Sequence, residues 1–140
     1  MPAVERVFVD SNIVLYALEA DQQKHETAWN LLFTKPYISL QVINECSNVL
    51  NRKRQWPPED VAQTMERVLQ FVTVEPTDIA TVRSAWKVQA RYRFSYFDSL
   101  IIAAALAADC STLYSEDMQH GQVIGGRLTI SNPFLADSIL

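Results

Sequence analysis

Short β-branched runs alternate along this chain with longer segments of helical periodicity, and no other pattern restricts its fold as much. Val4 to Val9 predicts a first strand, buried on both faces. Ser11 can cap the following helix, where Ile13, Val14, Ala17 and Leu18 recur at helical spacing. A second helix is expected from about Gln22 to Thr34, ended by Pro36, then a short strand from Tyr37 to Leu40. Val42, Ile43, Cys46, Val49 and Leu50 mark a helix that closes on Arg52-Lys53-Arg54. Pro57-Pro58-Glu59-Asp60 opens another, with Val61, Met65, Val68, Leu69 and Val72 on its apolar stripe. A strand around Phe71 to Val74 and a helix from about Thr77 come next. Ser95-x-x-Asp98 then opens the most apolar helix, Leu100 to Ala108, and Thr112 to Tyr114 and Leu128 to Ile130 are the last expected strands. Such alternation predicts an α/β protein: a three-layer α/β/α, Rossmann-like fold on a mostly parallel sheet of about five strands. With 140 residues, three glycines, no polar linker and no repeat, the prediction is one domain over 1–140.

In open parallel sheets, ligands gather beyond the carboxyl ends of the strands. Asp10 and Asp117 each follow an expected strand and fall on that edge. Glu45 rides on the helix after the second strand, next to apolar positions, and Asp98 opens the apolar helix. Each has a plainer explanation. Asp10 can simply end a strand, Asp98 can complete a capping box with Ser95, Glu45 can be a surface glutamate, and Asp117 and Glu116 suit a loop. Glu59, Asp60 and Asp78 need no more than the helix dipole. Together, four carboxylates spaced widely in sequence but converging in space would repel one another unless a hard divalent cation held them ionised.

The totals permit that reading without selecting it. The net charge of −4 is unusual for a nucleic-acid binder, but setting aside these four acids leaves twelve, equal to the twelve Lys and Arg. The longest apolar run, Leu100 to Ala108, is far short of the roughly 20 residues of a membrane span. The N-terminus lacks a basic segment leading into an apolar one, and Cys46 and Cys110 form no C-x-x-C pair, so a reducing cytoplasm is expected. His25 and His120 are isolated and read as surface residues rather than zinc ligands.

Taken in order, VFVDSNIVLYAL, QVINEC, FSYFDSLIIAAAL, LYSEDMQHGQ and LTISNPF resemble the PIN-domain ribonucleases, and more narrowly the VapC-type toxins of toxin–antitoxin pairs. The resemblance runs from Val7 to Phe134. It implies a metal-dependent endoribonuclease in which Asp10, Glu45, Asp98 and Asp117 bind Mg2+ or Mn2+, with Asn12 and Ser115 supporting them. The hydroxyl-x-acid spacing from Ser115 selects Asp117 over Glu116. The resemblance further implies an RNA substrate, a homodimer and a cognate VapB-type antitoxin, with no membrane role.

Cations interleave with aromatics at Arg91-Tyr92-Arg93-Phe94-Ser95-Tyr96, just ahead of Asp98, and Arg52 and Arg54 lie after the Glu45 helix. As phosphate contacts these four arginines would flank an RNA path, although aromatic packing and a solvated helix end explain the same strings. Trp29 and Phe33 suit a partner surface or the core equally. Two rivals remain. A catalytically inactive PIN-like module that binds RNA or protein would have lost a ligand, and none of the four acids is missing. An aspartate-based phosphatase of the D-x-D type would need an acid where this chain has Asn12.

Overall fold

A computed structural model describes residues 5–19 and 22–135 of the chain. Six strands form one sheet in the order β3-β2-β1-β4-β6-β5. They are β1 (Val7–Val9), β2 (Tyr37–Ser39), β3 (Thr73–Glu75), β4 (Thr112–Tyr114), β5 (Val123–Ile124) and β6 (Leu128–Ser131). All pairings are parallel except that of β5 with β6. The helices are α1 (Ser11–Leu18), α2 (Gln22–Leu32), α3 (Leu40–Asn48), α4 (Pro58–Leu69), α5 (Ile79–Tyr92) and α6 (Tyr96–Ala107). The result is the expected three-layer α/β/α arrangement, with a sixth strand added.

That sixth strand is β5, which the periodicity did not announce. It is two residues long, and the turn to β6 carries Gly125 and Gly126 at φ +60° and +69°, values at which a side chain is strained. At the opposite edge β3 is three residues long, starts at Thr73 rather than Phe71, and is followed by Pro76. The first strand begins at Val7; Val4, where it was expected to begin, lies outside the described residues.

The core is built from the strand residues Phe8, Val9, Ile38, Leu113, Leu128 and Ile130 against Ile13, Val14, Leu32, Val42, Ile101 and Ile102 from the helices. Helix α6 is buried nearly all round, Ser99 to Ala105 without a break, which is why its sequence reads as uniformly apolar rather than striped. Helix α5 packs along α6 through a smaller cluster of Ala85, Leu100 and Ala103 with Val82 and Tyr96. Asp78 caps α5 in a reciprocal capping box with Thr81, so it does more than complement the dipole.

Helix α3 is capped by Ser39 and does not stop at Asn48 but continues through a π turn, Val49–Lys53, in which the Arg54 N–H reaches back to the Val49 carbonyl at 3.1 Å. Single π turns often accompany functional sites, and this one begins four residues after Glu45.

β1 lies at the centre of the sheet, with β2 on one side and β4 on the other, so the chain changes winding direction there. In register, Val9 stands beside Tyr114 and Tyr114 beside Ser131. The residues that follow β1 and β4 are therefore side by side at the switch point, where such folds bind ligands. Because Leu113 is fully buried between β1 and β6, Leu113→Ala should lower unfolding free energy by about 2–5 kcal/mol in urea titrations, with the slope of the transition unchanged.

Candidate active site

Asp10 sits at the bottom of the site, 3% exposed, where β1 gives way to α1. It, rather than Ser11, is the N-cap of α1: its Oδ1 accepts the Ser11 N–H at 2.7 Å. The hydroxyl of Ser115 donates to Asp10 Oδ2 at 2.8 Å, and that of Ser11 turns outward to donate to Glu45 Oε2 at 2.8 Å. Glu45 Oε1 accepts from Gln41 Nε2, one turn earlier on α3, at 3.1 Å. One short hydroxyl side chain thus ties the start of α1 to the carboxylate of α3.

The loop after β4 is fixed from two sides. The Asn12 amide donates to Asp117 Oδ2 at 3.1 Å, while its carbonyl accepts the Glu116 N–H at 3.2 Å. Ser115 Oγ accepts the Asp117 N–H at 3.2 Å, so the same hydroxyl serves Asp10 and the loop. Glu116 turns the other way. Its Oε1 accepts from the Tyr16 hydroxyl at 3.0 Å and its Oε2 lies 3.2 Å from Lys24 Nζ. That geometry separates two adjacent acids the sequence leaves blurred: Asp117 points to the acidic edge and Glu116 to a cation.

Asp98 lies half-buried in the first turn of α6, and Ser95 caps that turn by accepting the Asp98 N–H at 3.1 Å. Capping role and site position coexist. Burial raises the Asp98 pKa, the Ser95 hydroxyl lowers it, and the charges of Glu45 and Asp117 raise it further. Asp10 is pushed up to about 7: burial dominates, the bonds from Ser115 and Ser11 pull it down, and Glu45 and Asp98 push it up again. Asp10 thus feels the charges of Glu45 and Asp98, and Asp98 those of Glu45 and Asp117. Among the described residues, no three acidic, His or Cys side chains stand as a ready-made cage for one ion.

The donor set is nevertheless all carboxylate and amide or hydroxyl oxygen, which suits a hard cation such as Mg2+ or Mn2+. An Asp with a pKa near 7 is a carboxylate that a nearby cation would return to its ionised form. Cys46 is buried under the site, its thiol raised well above its usual range by burial and by Asp10 and Glu45, so it is not a thiolate donor.

The expected cationic residues divide. Arg91 lies in the last turn of α5 and Arg93 is its C-cap, two residues before Ser95. Arg52 is exposed on the π turn, whereas Arg54 is engaged by Glu19 at the end of α1 and so is held as a structural tie. Trp29 packs edge-on against Phe71 and is partly buried, while Phe33 is exposed. His25 stacks edge-on against Trp29 and is half-buried rather than a surface residue. Sequence reasoning missed Ser11 and Gln41 as Glu45 partners and the Tyr16–Lys24 pair that holds Glu116. Only the D-S-N string beside a strand end hinted at the first.

The PIN-domain family profile matches residues 7–124. No curated protein matches the chain significantly by sequence. Among solved structures, the fold is similar to VapC20 of Mycobacterium tuberculosis, a sarcin-ricin loop cleaving toxin, at 23% identity and a TM-score of 0.64, over 79% of this chain and 89% of that one. It is also similar to a chain of a toxin–antitoxin complex from Klebsiella pneumoniae, at 17% identity and a TM-score of 0.68, covering 91% and 97%. A third likeness is to DNA-bound VapBC from Salmonella typhimurium, at 14% identity and a TM-score of 0.69, covering 91% and 98%.

The Asp10 pKa fixes a sign. Its folded value lies above the model-peptide 3.8, so ionisation opposes folding: the cost is absent below pH 4, grows as pH rises, and is complete above about 7. In thermal melts with chelator present, Asp10→Asn should therefore raise the melting temperature at pH 8 and do so much less at pH 5. An equal shift at both pH values would contradict this account.

Proposed function

The chain belongs to the PIN-domain family, and from that premise we propose that it is a metal-dependent endoribonuclease acting as the VapC-type toxin of a toxin–antitoxin pair. The observation that carries the reading is that Asp10, which follows the central strand β1, is affected by the charges of Glu45 and Asp98, and Asp98 by those of Glu45 and Asp117, with burial the larger cause that raises both Asp10 and Asp98.

These four carboxylates would hold Mg2+ or Mn2+. When bound, such an ion polarises the phosphoryl oxygens, lowers the pKa of water and stabilises the departing oxygen. The rest of the work falls to the chain. Ser115 and the Ser11 N–H fix the orientation of Asp10, and Asn12 fixes that of Asp117. Ser11 and Gln41 hold the two oxygens of Glu45, which leaves it placed to bind an ion or to orient the attacking water. Asn12 and Ser115 act on carboxylates rather than on the phosphodiester, in the manner of residues that orient metal ligands.

In this reading the chain works in the cytoplasm, where Cys46 and Cys110 stay reduced, as a homodimer silenced by a VapB-type antitoxin. Its support is the fold it shares with the chains of toxin–antitoxin complexes. Among the described residues no helix is long and apolar enough to cross a membrane.

Incubation of a mixed RNA pool with the purified protein should give fragments with Mg2+ or Mn2+ and none with chelator. Asp10→Asn and Asp98→Asn should each reduce cleavage by roughly 100-fold or more while leaving a folded protein by circular dichroism. Binding without cleavage by the parent chain would return the inactive-module alternative. The loop geometry makes a second prediction. Asp117→Asn should lose activity on the same scale, whereas Glu116→Gln should retain most of it, measured side by side on one RNA; a reversed order would move the fourth ligand to Glu116.

A further inference from the structure

The segment from Ile79 to Phe97 contains Arg83, Lys87, Arg91 and Arg93 and no acid, although all sixteen acids elsewhere face only the other eight Lys and Arg. Arg83, Lys87 and Arg91 recur every four residues, so they form one exposed line along α5, at a rise of about 6 Å per step. Among the described residues none of the three, nor Arg93, is ion-paired with an acid. Solvated helix faces usually mix signs and pair them; this one does neither.

Direction matters as much as sign. α5 and α6 are joined by three residues, with Arg93 at φ +63° turning the chain, and they pack side by side. The end of α5 that carries Arg91 is therefore the end at which α6 begins and presents Asp98. Two large rings are exposed: Trp86 at 58%, on α5 between Arg83 and Lys87, and Phe97 at 59%, in the first turn of α6 and adjacent in sequence to Asp98. Phosphates are neutralised by cations spaced along a groove or face, and unpaired bases stack on exposed aromatics.

We propose that the exposed face of α5, Arg83–Trp86–Lys87–Arg91, together with Phe97, is a track that leads single-stranded RNA to the Asp98 corner of the acidic site. This assignment rests on the ribonuclease reading and extends it. The scissile phosphate lies at the carboxylates, and the strand on one side of it runs back along α5, about 12 Å from Arg91 to Arg83. An otherwise acidic protein thereby offers a local cationic path to a polyanion, and the negative charge of the site sits only at its end.

The test uses the full chain carrying Asp10→Asn, so that RNA is bound but not cut, and a fluorescent mixed-sequence single-stranded oligoribonucleotide as probe. Arg83→Glu with Lys87→Glu should weaken binding about 20-fold or more at 0.1 M salt, and make the dependence of log K on log salt shallower by about 1.4. A control with the same charge change on other surfaces, Lys35→Glu with Arg67→Glu, should keep most of the affinity. Equal losses in both variants, or no loss in the first, overturn the track. An oligoglutamate of equal charge that displaces the RNA as well as RNA does would assign the face to an acidic protein and overturn it too. The two readings fail separately: a parent chain that leaves RNA intact with Mg2+ but binds it through α5 ends the ribonuclease proposal and keeps the track.

Discussion

The buried carboxylate of Asp10 is the constraint around which this end of the molecule is organised. A charged group 3% exposed needs hydrogen bonds, and here they come from the Ser11 N–H and the Ser115 hydroxyl. Those two donors come from the ends of neighbouring central strands, so satisfying one side chain fixes β1 against β4. Ser11 and Ser115 then pass the order outward, Ser11 to Glu45 and Ser115 to the loop of Asp117. The supports are uncharged while the carboxylates they hold repel. The fold thus keeps in place a set of acids that would separate if left to electrostatics alone, and a cation would be attracted to it.

The division between Glu116 and Asp117 follows from the same logic. Neighbouring residues in a loop point to different sides, and two acids pointing one way would have added a fifth negative charge to the site. Lys24 and the Tyr16 hydroxyl draw Glu116 off instead. The loop is therefore held at three points: by Asn12, by Ser115 and by this ion pair on the far side.

Much of the architecture was legible because burial writes itself into sequence. Uniformly apolar β-branched runs mark central parallel strands, and the stripe on α4 marks a helix with one wet face. The positions of Asp10 and Asp117 at strand ends could be read from the same runs. What escaped depends on contacts between distant segments or on very short elements. β5 is two residues long, too few for a period, and its Gly125-Gly126 turn was the available clue. The π turn after α3 leaves no mark in composition. Ser11 looks like a helix cap in one dimension; that its hydroxyl serves Glu45 depends on how α3 crosses α1. The raised pKa of Asp98 likewise depends first on its burial and then on Glu45 and Asp117 arriving from other elements.

The sheet edges carry a consequence of a different kind. β3 is three residues long and closed by Pro76, and β5 is two residues long and antiparallel to its neighbour. Neither offers the run of unpaired N–H and C=O groups on which another chain could add a strand. Among the described residues, strand exchange and edge-to-edge stacking are therefore disfavoured at both edges of the sheet. A companion would meet, among the described residues, side chains on helices and loops rather than a long strand edge.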